Sequence, residues 1–254
     1  GDNAFVDVAQ EAGVAAVKSH SSGVVACDVN NDGYQDLYVS GDSIKDEEVE
    51  PYSAEYMEGV LDRLFLNNGN GIFTDVTESA LGDEKNYSKS SSVVCADVDG
   101  DGWLDIYVAN RPDARRLGLI GDWENILYHN NGDGTFSDIG TRAGVQGHDS
   151  IRIQGDPIAN QPVSWAVMFF DYDDDGDPDL WVANDGDRLR VYRNDSSAGR
   201  IRFTPVSEAM GVDTAGAWMG FAVGDYDGDA DLDVFVTNIG YHPLLRKPMR
   251  GPSG

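Results

Sequence analysis

A chain of 254 residues with 45 acidic side chains against 18 lysines and arginines carries a net charge of −27. Such a field repels nucleic acid and anionic membranes and favours cationic or cation-bridged partners, while the 41% hydrophobic content excludes a disordered acidic tail. No apolar run approaches the length of a membrane span, and no signal peptide is visible, as expected of a mature or trimmed chain.

In chain order, a strand around Phe5–Val8 comes first, and then VVAC leads into the nine-residue frame DVNNDGYQD at Asp28–Asp36. The β-branched run LYVSG follows it, as expected of a strand. A second hairpin begins at Arg63, RLFLNNGNGIFTDVT, with Asn and Gly at the turn. The same order then recurs. VVCA precedes DVDGDGWLD at Asp97–Asp105, IYVAN follows, and NILYHNNGDGTFSDI starts at Asn125. AVMFF precedes DYDDDGDPD at Asp171–Asp179, LWVAN follows, and RVYRNDSSAGRIRFTPV starts at Arg190. MGFAVG precedes DYDGDADLD at Asp225–Asp233, VFVTN follows, and HPLLRK offers at most a third strand before a flexible GPSG stop.

Side-chain oxygens fall at positions 1, 3, 5 and 9 of each frame, a spacing suited to a hard cation that takes six to eight oxygens, and calcium is the natural candidate. The expected ligands of the first site are Asp28, Asn30, Asp32, Asp36 and the Tyr34 carbonyl. The second uses Asp97, Asp99, Asp101, Asp105 and the Trp103 carbonyl. The third uses Asp171, Asp173, Asp175, Asp179 and the Asp177 carbonyl, and the fourth Asp225, Asp227, Asp229, Asp233 and the Asp231 carbonyl. Empty, four carboxylates roughly 5 Å apart repel by about 3 kcal/mol per pair at an effective dielectric near 20. Six pairs then sum to about 20 kcal/mol, more than a whole domain's stability. The ions are therefore read as structural, about four in all.

An EF-hand would need a bidentate Glu at position 12. Val39, Val108, Val182 and Val236 stand there, and valine cannot ligate. Each frame is thus a turn between strands. Position 6 requires positive φ and is Gly33, Gly102 and Gly176, but Ala230 in the fourth frame, which predicts a strained and weaker site.

Phe5, Phe73, Phe136 and Phe203 open equivalent final strands, about 65 residues apart. Two hairpins per unit, radially repeated, predict an all-β fold: a β-propeller of four-stranded antiparallel blades, with about four units present. One propeller or propeller fragment spans 1–254, with units near 9–77, 78–140, 141–206 and 207–254, and residues 4–8 as a closing strand for the last blade. Insertions at Gly41–Asp62 (with Glu47, Glu48 and Glu50), Arg111–Glu124 and Gln146–Pro162 are where binding specificity would be built, or else packing over blade edges.

Cys27 precedes its frame by one residue and Cys95 by two, so alternation faces them to opposite sides of equivalent strands and favours two buried thiols over a disulfide. Asn86-Tyr-Ser and Asn194-Asp-Ser match glycosylation acceptors. No nucleophile elbow, zinc-protease helix or phosphate loop occurs, and His20, His129, His148 and His242 are scattered. His129 reads as a surface cross-strand residue. Trp165, Phe169, Phe170, Trp218 and Phe221 read as filling between blades, as do Tyr107 and Trp181 in a shared register.

The combination F-x-D-V…A-G-V, D-x-[DN]-x-D-G-x-x-D-[LI]-[YW]-V-[AS]-N and L-[FY]-x-N-x-G-[ND]-G-x-F resembles the FG-GAP/VCBS repeat family over about residues 4–240. Integrin α-subunit propellers fall in this broad group. The nearer flavour is similar to the cartilage acidic protein type and its bacterial relatives with an ASPIC/UnbV segment. The literal Phe-Gly and Gly-Ala-Pro tags of the integrin repeats are missing. The resemblance implies a calcium-stabilised propeller, typically of seven blades, on a secreted or surface protein of adhesion or recognition, with the periplasm as a further compartment. A protein or carbohydrate partner at the cell surface or matrix, or self-assembly, is expected. Against this non-catalytic module stand two other classes: a structural subunit of an extracellular filament or layer, and a calcium-dependent polysaccharide lyase. The lyase needs a basic cluster beside an open calcium, and the frames have none in sequence.

Overall fold

Each aspartate frame closes a hairpin, and the first three hairpins grow into four-stranded antiparallel blades. The computed structural model describes residues 4–15, 19–44, 61–86, 88–111, 124–147, 163–197 and 199–239. The first blade runs β1 (Ser19–Cys27), β2 (Asp36–Ile44), β3 (Arg63–Asn67) and β4 (Phe73–Asp75) in simple up-and-down order. The second repeats it with β5 (Lys89–Ala96), β6 (Asp105–Arg111), β7 (Ile126–Asn130) and β8 (Phe136–Asp138). The third comprises β9 (Val163–Phe169), β10 (Leu180–Arg188), β11 (Arg190–Asn194) and β12 (Phe203–Pro205). A further hairpin, β13 (Ala215–Gly224) and β14 (Asp233–Asn238), also pairs through β13 with the end of β10. The fold is an all-β propeller type, built of such blades.

In the second and third blades the second strand is covered on both faces, which explains its unbroken apolar run. Ile106 and Val108 face the first blade, among Cys27, Tyr38, Leu64 and Tyr128. Tyr107 and Ala109, one residue out of phase, face the third blade among Val167, Leu180 and Val182. In β10 the pattern repeats: Trp181 turns toward the fourth hairpin and meets Phe221, ring centroids 6.3 Å apart. Val39, Val108, Val182 and Val236 all lie inside strands, as the rejection of an EF-hand requires.

The first strand of every unit bulges at one equivalent residue, Ser22, Ser91, Trp165 and Met219. In the first two blades the bulge aims that side chain at the next blade. Ser22 Oγ donates to the Ser90 carbonyl and Ser91 Oγ to the Ser164 carbonyl. Trp165 instead carries the Arg111 guanidinium 5.0 Å above its ring.

Two expectations are corrected. Cys27 and Cys95 form a disulfide, with Cα atoms 6.8 Å apart. Opposite faces of equivalent strands are the two faces that meet when blades stack, so the half-period offset that argued against pairing is what permits it. Residues 4–8 form no strand, and Phe5 is fully exposed. A closing strand needs a third strand of the fourth blade to pair with, and HPLLRK and GPSG lie outside the described residues. So do most of the three insertions, including Glu47, Glu48 and Glu50, and also His148 and His242.

Candidate metal centre

The four turns share one backbone path. Position 6 has positive φ in every copy: Gly33 at 89°, Gly102 at 91°, Gly176 at 93° and Ala230 at 76°. Position 4 is left-handed too, at Asn31, Gly100, Asp174 and Gly228. These residue types tolerate that region best, so the N, G, D, G column was a signal sequence reading had overlooked.

The first and last carboxylates hold this path. Asp28 accepts the Asp32 and Gly33 N–H groups at 3.0 and 2.8 Å, and Asp97 accepts those of Asp101 and Gly102 at 3.1 and 2.9 Å. Asp171 takes Asp175 and Gly176 at 3.2 and 2.9 Å, while Asp225 takes Gly228 and Ala230 at 2.7 and 3.2 Å. At position 9, Asp36, Asp105 and Asp179 accept the position-2 N–H with one oxygen and a third-strand N–H, of Asn67, Asn130 and Asn194, with the other. Asp233 accepts from Tyr226 at 2.9 Å. The position-5 acids Asp32, Asp101, Asp175 and Asp229 each accept the N–H of the position-7 residue, at 2.9, 2.8, 2.9 and 3.0 Å.

Three turns gather three acids with one oxygen from each within 4.8 Å of the others: Asp97, Asp99 and Asp105; Asp171, Asp173 and Asp179; Asp225, Asp227 and Asp229. The first turn forms no such trio among the described residues; Asn30 donates to Asp32 across 3.0 Å instead. Burial pushes the Asp105 and Asp179 carboxyls up to about 6, and raises Asp36 as well. That shift is the cost of holding an anion out of water, which a bound cation would reverse.

Asp99 tests whether a cation fits. It is only 6% exposed, its Oδ2 accepts the Gly199 N–H at 3.3 Å, and its Oδ1 has no partner. A buried carboxylate oxygen without a donor is a group seeking a cation. The donor set therefore suits a hard ion. When bound, calcium would supply the positive charge that these clustered oxygens otherwise lack.

Tyr34 and Trp103 were expected to lend only carbonyls. Their rings cover the hairpin glycines Gly69 and Gly132, where a Cβ would meet ring atoms at 2.6 and 2.9 Å. The third unit has Asp177 in place of the aromatic and Ser196 in place of the glycine, a matched exchange.

A family model described as FG-GAP-like repeat matches residues 52–108 and 171–236, segments that contain the second and the third and fourth turns. Those two segments are FG-GAP-like repeats. Cartilage acidic protein 1 of Mus musculus is 24% identical over 280 residues, covering 88% of this chain and 40% of that protein. The human counterpart is 24% identical over 284 residues, covering 88% of this chain and 39% of its own length. The chain thus spans about two fifths of these relatives. Among solved structures, the exotype rhamnogalacturonan lyase YesX aligns at TM-score 0.47 and 16% identity over 84% of this chain and 38% of its own.

Sequence reading missed what the constant third-strand asparagine does in these blades. Asn130 Nδ2 donates to the Val29 carbonyl at 2.8 Å, and Asn194 Nδ2 to the Val98 carbonyl at 2.8 Å. Each asparagine reaches back into the aspartate turn of the preceding blade while its N–H binds its own blade's position-9 aspartate. Asn31 Nδ2 likewise donates to the Gly102 carbonyl at 2.9 Å, joining the first two turns directly. The turns therefore fix the angle between blades as well as closing hairpins.

At the other end of the blades, a polar cluster seals the interfaces between them. Buried Asp62 accepts hydrogen bonds from Tyr38 (2.9 Å), the Gly41 N–H (2.6 Å), Asn86 (2.8 Å) and Ser90 (2.8 Å). Asn125 occupies the equivalent place between the second and third blades, donating to Tyr107 and Ser164. The acceptor reading of Asn86 and Asn194 is corrected here: both are at most 2% exposed and their amides are used internally, so neither is open to a glycan.

Proposed function

We propose that this chain is a calcium-binding, non-catalytic recognition module that works outside the cell, its ions pinning the blade hairpins and the angles between blades. The observation that carries the reading is Asp99, a buried carboxylate with an unpartnered oxygen inside a three-acid cluster. Extracellular and periplasmic calcium is millimolar, and modest sites fill there. The Cys27–Cys95 disulfide supports the same oxidising compartments. Four calcium ions would offset only eight of the 27 net negative charges, so a cationic or calcium-bridged protein or carbohydrate partner suits the surface. Recognition falls to the face opposite the metal turns, where β2 and β6 end and the chain departs before β3 and β7.

Thermal unfolding in calcium and in EDTA, beside native mass spectrometry, tests the reading. Bound calcium up to four ions is expected, with a melting temperature that drops on chelation by several degrees, each kcal/mol being worth about 2–4 °C at this size. An unchanged melting temperature, or no bound metal, refutes it.

A further inference from the structure

The second turn differs from the others in one residue on the neighbouring strand. His129 lies in β7, where β3 has Leu66 and β11 has Arg193. Its Nδ1 is 3.0 Å from Asp105 Oδ1, which also accepts the Asn130 N–H. A carboxylate acting only as acceptor requires that Nδ1 carry the proton, which leaves the Nε2 lone pair for another partner. A ring nitrogen of His129 and one oxygen each of Asp99 and Asp101 lie within 4.8 Å of one another. Asp99 is the residue with the buried, unpartnered Oδ1. At the third turn the corresponding Arg193 is spent on Asp195, 2.8 Å away, and a guanidinium cannot ligate a cation.

We infer that the second turn is a mixed nitrogen–oxygen metal site, Asp99, Asp101 and His129, that takes a borderline first-row divalent cation of the Zn²⁺ class. The inference rests on the proposed cation-holding role of the turns and adds a selectivity to one of them. Carboxylates alone favour calcium, magnesium or manganese, whereas an imidazole ligand shifts preference toward zinc and its neighbours. Asp105 then acts as the positioning residue that orients the ring, as carboxylates behind metal-bound histidines do. The same Asp99 serves the Asp97, Asp99 and Asp105 trio, so the two cations compete for one turn.

Calorimetric titration of Zn²⁺ into the calcium-loaded protein is the test, with His129→Arg, His129→Leu and His20→Asn compared. His129→Arg installs the residue found at the equivalent place in the third blade and keeps an N–H donor beside Asp105, so it folds without offering a ligand. One Zn²⁺ site is expected in the wild type, weakened at least about tenfold in both His129 variants and unchanged in His20→Asn. Nitrogen NMR of the histidine rings should show the His129 Nε2 resonance, and not Nδ1, moving with Zn²⁺. Zinc binding that survives His129→Arg, or a wild type that binds no Zn²⁺, overturns the inference. Failure of the calcium reading would appear separately, as a melting temperature indifferent to EDTA.

Discussion

Asp62 offers a measurable pH signature, because burial among neutral donors pushes its carboxyl up to about 7 from an ordinary value of 3.8. Between those values the folded protein holds a proton that the unfolded chain releases, so stability falls as pH rises from about 4 through about 7. A shift of about three units corresponds to about 4 kcal/mol at most, since each unit is worth 1.36 kcal/mol. Asp62→Asn removes the slope. The second blade already holds an amide at this place, where Asn125 donates to the Tyr107 hydroxyl. In the first blade the new amide must also face the Asn86 Nδ2, a donor now bonded to Asp62 at 2.8 Å, and that mismatch costs about 1–3 kcal/mol. The variant should therefore be less stable than wild type at pH 5 and equal or better at pH 8. Urea unfolding at pH 5, 6, 7 and 8 in saturating calcium measures the difference, in which the contributions of the turn carboxylates cancel. A wild-type-minus-variant difference that is flat within about 0.5 kcal/mol from pH 5 to 8 would mean that Asp62 is ionised throughout, and the reasoning fails.

The remaining predictions concern the turns and the seams between blades. Asp175→Ala should lower the melting temperature in calcium more than Asp229→Ala does, because Ala230 at φ 76° already strains the fourth turn; equal losses would refute that ranking. Ala230→Gly should stabilise the protein by about 1 kcal/mol and raise calcium affinity at that turn, read by calorimetry; a neutral or harmful change would remove the strain argument. Asn130→Ala strands the Val29 carbonyl and loses the Leu104 contact at 3.2 Å, for an expected loss of about 2–4 kcal/mol in denaturant, and a loss under 1 kcal/mol would show that the clasp is dispensable. Reducing Cys27–Cys95, which closes a sequence separation of 68 residues, should cost about 2–4 kcal/mol; unfolding that ignores the reductant would count against the bond as a brace.

What sequence could reveal here followed from periodicity within one strand or one turn. Valine at position 12, the glycines at position 6 and the apolar runs each report on a local requirement, and together they made the turns and the blades legible. The contents of an interface between blades obey a different rule. Alternation states that Cys27 and Cys95 face opposite ways, but the fact that opposite ways converge depends on how one blade is stacked on the next. Asn130 read locally is a turn former, and only the stacked geometry turns its amide toward Val29. His129 likewise looked like an exposed cross-strand residue until β7 brought it against Asp105. Comparing columns between repeats would have recovered part of this. Tyr34 with Gly69 and Trp103 with Gly132 keep an aromatic over a residue with no side chain, and Asp177 with Ser196 loses both partners together. A pair that changes in step within a single chain is evidence of contact, because a Cβ under the ring and a missing ring over the glycine are each unfavourable alone. By the same logic, Leu66, His129 and Arg193 vary at one column while the aspartates at positions 1, 5 and 9 of the turns stay, so this column is one place where the repeats differ in what each turn can hold.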